Sequence, residues 1–422
     1  MTRHHRILRK RSSACAARLP KSARRISLAS AIAMPQAIVL AALLICGCRS
    51  RSTGSQAPAA QALTPMLIAV KAPPVPFVGS DGRVHLVYEL WLTNFSSGQA
   101  AVEQVQIYGD GQLIENLDTS GVAARLQPGG MRTASATMAP SARALLFVHI
   151  TLPAGAAIPS ALRDTVRAHF DAAPPGHREI TETLDATPID NRPVAVFGPP
   201  LRGEHYISAD SCCDSTRHMR AALAVDGKVY LAQRFAVDWE ELDAQNRIYA
   251  GAKTDSKSYT IYGKPVLAVA SARVVTATND QPDQTPGSFP TGLTIDQADG
   301  NAVILDLGSG NFAMYAHMQP GSVRVSVGDR VVRGQVIGLV GNSGNSIAPH
   351  LHFQVMDEPR SLASNGLPYE IDSYQVTAAA PGTEAFDIAE SNGTPLDLTP
   401  ISPPTRVTAA LPLDQLIISF GD

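Results

Sequence analysis

The sequence predicts an all-β fold, with an N-terminal antiparallel β-sandwich followed by a second antiparallel β-sheet region. Short apolar segments with period-two alternation recur from about residue 65 onward and are separated by Gly and Pro turns. The second region shows no long segment with the periodicity of an amphipathic helix. The 422 residues are 45% hydrophobic, and a formal net charge of −2 gives no electrostatic reason to expect nucleic acid as a partner.

Residues 1–48 predict an export signal. Nine Lys or Arg and no acidic residue precede Cys48, and the apolar run of residues 37–45 is too short to span a bilayer as a helix. The sequence Ile-Cys-Gly-Cys that ends at Cys48 resembles a bacterial lipobox, so Cys48 is the candidate lipidation site; a plain secretory signal is the alternative. We therefore expect an exported protein of the cell envelope or periplasm with a lipid anchor in a membrane. Residues 49–64 are expected to be a flexible tether.

The β-sandwich is expected to occupy residues 65–175. Apolar residues alternate with polar or mixed ones over residues 84–92, and the run 145–152 repeats the pattern between Gly and Pro turns. Nothing in this region clusters as a catalytic site. Three histidines are isolated along the sequence and are expected to be ordinary half-buried residues: His85, His149 and His169.

A linker is expected over residues 176–203, before a second β-rich domain at residues 204–370. The last segment, residues 371–422, is expected to be a tail or an added strand, because it ends in a short apolar run. Cys212 and Cys213 are adjacent, so they form either a disulfide between neighbours or a pair of thiolate metal ligands.

Candidate chemistry concentrates in the second domain. His350 and His352 are two residues apart in a segment that alternates like a strand, so both imidazoles are expected on one face. Such a pair can share a metal or bracket a substrate. His317 ends another predicted strand, and Asp238 adds a carboxylate from a third.

At these residues the sequence resembles the lysostaphin/LytM-type zinc metalloendopeptidases, which cut peptide cross-links in bacterial cell walls. The resemblance covers about 130 residues and implies a LytM-like antiparallel β-sheet peptidase domain with Zn²⁺ as cofactor and peptidoglycan or a related peptide as substrate. The matching pieces occur in the family's order: Ala236-Val-Asp238, Gly263-Lys-Pro-Val266, Asn301-Ala-Val-Ile304, Tyr315-Ala-His317, Val327-Gly-Asp-Arg-Val-Val-Arg-Gly334-Gln-Val-Ile-Gly338, Gly341-Asn-Ser-Gly344 and Pro349-His-Leu-His-Phe353.

The resemblance assigns roles to four of these residues. Asp238 and His352 correspond to zinc ligands, while His317 and His350 correspond to the histidines that act on the attacking water and the reaction intermediate. These roles fit zinc chemistry, in which three protein ligands leave one position for a water whose pKa falls toward about 7. Neutral histidines can then accept and return a proton.

The third zinc ligand departs from the family pattern. The family places a His four residues before the Asp, and here that position is Arg234, which stays cationic and cannot bind zinc. Two interpretations of Arg234 remain open: it binds a substrate carboxylate, or it is a solvated charge at a strand edge.

A predicted hairpin offers a substitute ligand. Asp226-Gly227 predicts a two-residue turn, and extending the ladder from it pairs His218 with Phe235, so His218 is the candidate third ligand. An unbroken ladder puts His218 on the face opposite to Asp238, so this placement requires a bulge or a twist. Two further residues are held in reserve: His205 and Asp214.

The leading hypothesis is therefore a zinc metalloendopeptidase that acts on peptidoglycan. The alternative is a degenerate, metal-free relative that binds or activates a cell-wall hydrolase, and Arg234 argues for it. A purely structural envelope lipoprotein ranks last, because it treats the histidine motifs as accidents. The sequence does not indicate the bond that is cut or the oligomeric state.

Overall fold

Antiparallel strands dominate the computed structural model, which describes residues 63–421, and they confirm the predicted all-β fold class. The predicted export signal with Cys48 and most of the predicted tether lie outside the described residues. Residues 63–421 belong to one compact unit. Neither α-helix among them is long and apolar enough to cross a membrane.

Two facing sheets form the N-terminal sandwich. The elements of this part are β1 (Met66–Val70), β2 (Phe77–Val78), β3 (Val84–Asn94), β4 (Ala100–Gly109), β5 (Gln112–Leu117), α1 (Thr119–Arg125), β6 (Leu126–Pro128), β7 (Thr137–Met138), β8 (Arg143–Leu152), β9 (Ala161–Phe170), β10 (Glu179–Thr183) and β11 (Thr187–Pro188). One sheet has the order β1-β3-β8-β6 with β2 paired to β3, and the other has the order β10-β9-β4-β5 with β7 on β4 and β11 on β9.

The sandwich core confirms the alternation predicted for β3. Leu86, Tyr88 and Leu90 are buried in one cluster with Val105 and Ile107 of the opposite sheet. Each such side chain contributes roughly 1.5–3 kcal/mol when it leaves water. The even-numbered residues of β3 therefore hold the two sheets together.

The other face of β3 is buried as well. Val87 belongs to the core of the second domain, and on the neighbouring strand β8 Leu145 and Phe147 pack on Leu231 of that domain. Glu89 lies between them on this face and is fully buried. The outer face of this sandwich sheet is thus an internal layer, and its polar residues lie in a buried interface.

The second domain is built on an eleven-stranded sheet, which two small two-stranded sheets accompany. Its elements are β12 (Ala195–Phe197), β13 (Tyr206–Ala209), β14 (Leu223–Val225), β15 (Lys228–Tyr230), β16 (Val237–Glu241), β17 (Pro265–Leu267), β18 (Ala272–Ala277), β19 (Asn301–Gly308), β20 (Asn311–Met318), β21 (Arg330–Val331), β22 (Val336–Leu339), β23 (Leu351–Met356), β24 (Tyr369–Ala379), α2 (Thr383–Asn392), β25 (Thr399–Ala410) and β26 (Leu416–Ser419). The large sheet has the order β12-β24-β26-β13-β16-β23-β20-β19-β18-β21 with β25 paired to β24, and the small sheets are β14-β15 and β17-β22.

The predicted linker and tail are structured. The linker, residues 176–203, holds β10 and β11, which pair with the sandwich strand β9, and β12, which pairs in parallel with β24. In the C-terminal segment the last apolar run forms β26, which lies between β24 and β13 and so is the added strand. Helix α2 was not predicted, because its ten residues are largely polar and bury only Phe386 and Ala389. Long-range strand pairing, which short-range patterns do not encode, supplies the order in both segments.

Arg234 forms a buried ion pair between the two domains. It lies in the turn before β16, and its Nη1 donates to both carboxylate oxygens of Glu89 at 2.9 and 2.8 Å. Its Nη2 also donates to the carbonyl oxygen of Gly366 at 3.2 Å. Arg234 is 7% exposed and Glu89 0%. Both interpretations of Arg234 were therefore wrong: sandwich strand β3 covers the turn, so the guanidinium is neither solvated nor free for a substrate.

Breaking this ion pair on one side is expected to destabilise the protein strongly. Arg234→Met leaves the Glu89 carboxylate buried without a partner, which costs about 3–5 kcal/mol in the free energy of unfolding. The double variant Glu89→Leu/Arg234→Met removes both charges and is expected to recover most of that loss. Urea unfolding of the three proteins measures both effects; a loss below about 1 kcal/mol for Arg234→Met would contradict the assignment.

Candidate metal and catalytic site

The register of the eleven-stranded sheet brings the predicted site residues together. Asp238 on β16 lies directly opposite His352 on β23, and His352 is in turn opposite Ala316 on β20. His317 follows Ala316, and His350 immediately precedes β23. The backbone of His317 has a φ of 60°, an uncommon value for a residue other than Gly that occurs often at functional sites.

The carboxylate of Asp238 is the centre of the cluster. Its Oδ1 lies 2.8 Å from Nδ1 of His352 and 3.4 Å from Nε2 of His350. Its Oδ2 lies 3.3 Å from Nε2 of His218. Three imidazoles thus surround one carboxylate in a largely buried site.

Three of the histidines are oriented by the same device. Each donates its Nδ1–H to a backbone carbonyl, which can only accept, so Nε2 is the nitrogen that faces the site and carries the lone pair when the ring is neutral. The bonds are His218 to the oxygen of Asp210 at 3.0 Å, His317 to Ser343 at 2.8 Å and His350 to Ala348 at 2.8 Å.

His352 is held the opposite way round. Its Nε2 lies 2.9 Å from Oε1 of Gln354, and the Gln354 amide donates to the carbonyl of Ser361 at 3.2 Å. Because the amide NH₂ is engaged there, Oε1 is left to accept from His352. In the neutral ring the lone pair of His352 is therefore on Nδ1, the nitrogen beside Asp238.

Two overlapping triads can hold a metal. The candidate ligand atoms of His218, Asp238 and His352 lie within 4.8 Å of one another, and so do those of His317, His350 and His352. Two imidazoles and a carboxylate are a donor set typical of catalytic zinc. The ligand atoms of the first triad are close enough together to contact one ion, so these residues fit zinc.

The electrostatics of the site favour an ionised carboxylate beside a neutral His317. Burial raises the pKa of Asp238, but the charges of His218 and His350 and the hydrogen bonds from His218 and His352 outweigh it and hold this pKa well below its usual range. For His218, burial lowers the pKa, yet Asp238 prevails and raises it to about 9. Burial and the charges of His350 and His352 lower the pKa of His317 well below 6.5.

His218 reaches the site by a different route from the predicted one. The Asp226-Gly227 hairpin is confirmed, but its ladder ends at the pair Leu223–Tyr230, and His218 lies in the loop before it. The predicted pairing of His218 with Phe235 was therefore wrong. Instead, Ala209 on β13 pairs with Asp238, and the chain from Asp210 to His218 folds back so that His218 bonds to Asp210.

The two reserve residues lie elsewhere. His205 is exposed just before β13, and Asp214 contacts Arg125 at 2.9 Å and His149 at 3.3 Å. Neither belongs to a described cluster that contains Asp238. Cys212 and Cys213 form a disulfide, which is the first of the two predicted alternatives.

A cleft of about 880 Å³ opens over the site. Residues that the sequence did not suggest also line it, including Glu240 on β16 and Glu390 on α2. Oε2 of Glu240 is buried and has no hydrogen-bond partner, and burial is the main factor that raises the pKa of Glu390 to about 7. No sequence signal pointed to these residues, because α2 was not predicted and Glu240 falls in an ordinary strand.

Comparison with known families identifies the segment that carries the late histidines. The model of "Peptidase family M23" matches residues 256–364. This segment contains His317, His350 and His352, whereas His218 and Asp238 precede it.

Relatives with curated names each match a segment of this chain. Endolysin 2638A of Staphylococcus phage 2638A is 35% identical over 108 residues, which are 24% of this chain and 22% of the endolysin. The glycyl-glycine endopeptidase ALE-1 of Staphylococcus capitis is 37% identical over 81 residues, 19% of this chain and 20% of ALE-1. The peptidoglycan DD-endopeptidase ShyA of Vibrio cholerae is 39% identical over 63 residues, 15% of this chain and 14% of ShyA. The chain thus spans about a fifth or less of the length of these relatives.

Among solved structures, the catalytic domain of lysostaphin from Staphylococcus simulans aligns with 39% of this chain and 88% of its own at 23% identity. The TM-score of this alignment is 0.22. The assignment rests instead on the matched segment and on the curated relatives. By these similarities, residues 256–364 of this chain form a domain of peptidase family M23.

Proposed function

We propose that this chain is a zinc-dependent metalloendopeptidase that cleaves peptide bonds in peptidoglycan at the cell envelope. The observation that carries the proposal is the position of His218. Although Arg234 occupies the family's usual ligand position, His218 brings an imidazole nitrogen to within 3.3 Å of Asp238, so a set of three protein ligands is available.

Zn²⁺ would be held by Nε2 of His218, a carboxylate oxygen of Asp238 and Nδ1 of His352. When bound, it would lower the pKa of a coordinated water toward about 7 and polarise the scissile carbonyl. His317 is neutral and presents a lone pair on Nε2, so it is suited to accept a proton. His350 presents its own Nε2 on the same side; with a proton on this nitrogen, its N–H can donate a hydrogen bond to the oxyanion and that proton can pass to the leaving amine, while His317 holds the proton taken from the water.

The substrate class is inferred from the relatives and from the cleft. ALE-1 is named as a glycyl-glycine endopeptidase and ShyA as a peptidoglycan DD-endopeptidase. The cleft is large enough for an extended peptide, and both α2 and the segment around Phe289 line it. An export signal and a lipid anchor at Cys48 would place the enzyme beside the cell wall.

Arg234 favours a second candidate, a metal-free relative that binds or activates a cell-wall hydrolase. A relative without catalytic activity would not need a buried carboxylate that is surrounded by oriented histidines. The zinc content separates the two candidates. Five residues that remain in place argue for the enzyme: His218, Asp238, His317, His350 and His352.

The oxidised full-length chain is expected to bind about one zinc per molecule. Asp238→Ala and His218→Ala each remove a ligand and are expected to lose that zinc, whereas His205→Ala, which changes an exposed histidine near the same strand, is expected to keep it. Mass spectrometry of the metal content after dialysis measures this. No zinc in the unchanged protein, even after zinc is supplied, would overturn the enzyme and leave the binding or activator role.

Removing the proton-handling histidines is expected to separate binding from catalysis. His317→Gln and His350→Gln are expected to retain zinc but to digest purified peptidoglycan roughly 10²–10⁴-fold more slowly, because general acid–base catalysis is lost. The control His177→Gln changes an exposed turn residue and is expected to match the unchanged protein. Release of free amino groups from peptidoglycan measures the rate, and activity within about threefold of the unchanged protein in both variants would refute the roles given to them.

A further inference from the structure

A second group of metal-binding side chains lies where the sandwich meets the loop that carries His218. His85 on β3 and His149 on β8 face this loop, and Nδ1 of His85 lies 2.9 Å from Nε2 of His149. Sγ of Cys213 is 4.0 Å from Nδ1 of His85, and the ligand atoms of all three residues lie within 4.8 Å of one another. His149 is half-buried as expected, whereas His85 is fully buried, and the fold brings these two histidines, which are far apart in the sequence, into contact.

The other hydrogen bonds of these two histidines leave two lone pairs facing each other, and a cation between them would stabilise this contact. Nε2 of His85 lies 3.0 Å from Asp81, and Nδ1 of His149 lies 3.3 Å from Asp214. Ionised carboxylates only accept hydrogen bonds, so these two outer nitrogens carry the protons. A neutral imidazole has one N–H, and hence the two inner nitrogens meet as bare lone pairs. Thr151 donates to one of them at 3.2 Å, but it does not separate the two.

A cation between the inner nitrogens removes this repulsion. In the oxidised chain the Cys213 sulfur is bonded to Cys212 and is not a thiolate, so it offers no anionic ligand to a metal. A dithiol reductant changes the site: the S–S bond takes up two electrons and two protons and becomes two thiols, while the dithiol becomes a disulfide. The Cys213 thiol can then give up its proton and bind a metal.

We propose that the reduced chain binds a second, zinc-type divalent cation through Nδ1 of His85, Nε2 of His149 and Sγ of Cys213. Around tetrahedral zinc, two nitrogens are roughly 3.3 Å apart, and a nitrogen and a sulfur roughly 3.5 Å. The observed separations of 2.9 and 4.0 Å lie within about half an ångström of these values. Two imidazoles and a thiolate select zinc over the hard cations magnesium and calcium.

The position of this site links it to the candidate catalytic metal. Cys213 and His218 belong to the same loop, which starts at Asp210 and is fixed at Ser211 by hydrogen bonds to Pro412 and Asp414. A metal at Cys213 would tie the middle of this loop to the sandwich, next to the contact between Asp214 and Arg125. The site itself does not depend on the proposed peptidase activity.

Two matched serine variants of the full-length chain test the proposal, with zinc alone as the probe. Cys212→Ser and Cys213→Ser break the same disulfide, but only Cys212→Ser keeps the sulfur ligand. Without reductant, Cys212→Ser is expected to bind one zinc more per chain than Cys213→Ser. The unchanged protein is expected to gain one zinc when a phosphine reductant or a dithiol is added. Equal zinc contents in the two serine variants, or no gain on reduction, would overturn the site.

A cobalt signature and histidine variants identify the ligands. Cobalt bound to Cys212→Ser is expected to show a near-ultraviolet sulfur-to-metal charge-transfer band that Cys213→Ser lacks. His85→Gln and His149→Gln in the Cys212→Ser background are expected to lose the extra zinc, whereas His177→Gln keeps it; retention of the extra zinc by both Gln variants would refute the assignment. If the catalytic zinc exists, adding Asp238→Ala lowers the zinc content of every variant by one ion per chain. The difference in zinc content between the two serine variants is therefore the same whether or not the proposed function is correct.

Discussion

The buried ion pair between Arg234 and Glu89 constrains the rest of this structure. Both charges are removed from water, so neither side chain can leave its partner without a large loss of stability. The pair fixes the outer face of the sandwich strand β3 against the turn that precedes β16. It thereby holds the guanidinium in the interface between the domains, four residues before Asp238, and away from the Asp238 cluster.

This arrangement explains why the third imidazole comes from a loop. β13 lies next to β16 in the sheet, and its last residue pairs with Asp238, so the chain that follows β13 starts beside the carboxylate. A loop of eight residues is enough to bring His218 back over this point, where the carbonyl of Asp210 orients it. Asp238 also favours this position of His218, because a buried carboxylate is stable only with positive or hydrogen-bonding partners. The candidate ligand set therefore has three members, although the third imidazole comes from a loop and not from the position that Arg234 occupies.

Much of the fold could be predicted from the sequence, because strand alternation and turn residues are local signals. The even-numbered residues of β3 and the Asp226-Gly227 turn are examples, and both are confirmed. The strand register also brings Asp238, His317, His350 and His352 together, as the motif order suggested. What local patterns cannot show is that β3 is buried on both faces. His85 and Glu89 occupy alternate positions that are normally solvent-exposed, so their partners, which lie far away in sequence, could not be inferred.

The way in which His218 reaches the Asp238 site could not be predicted from the sequence for a related reason. The predicted β-ladder was extended beyond its true end, because the observed ladder stops at Leu223. The prediction that an unbroken ladder puts His218 and Asp238 on opposite faces already indicated this. The consequence reaches beyond one residue. A ligand on a sheet strand is positioned by the sheet, whereas a ligand on a loop depends on whatever holds the loop. In this chain the loop is held at Ser211 by the C-terminal segment, and its middle lies against the sandwich at His149 and Arg125. The geometry of the Asp238 site therefore depends on segments outside the matched peptidase domain, which gives the sandwich and the C-terminal strands a role in positioning His218.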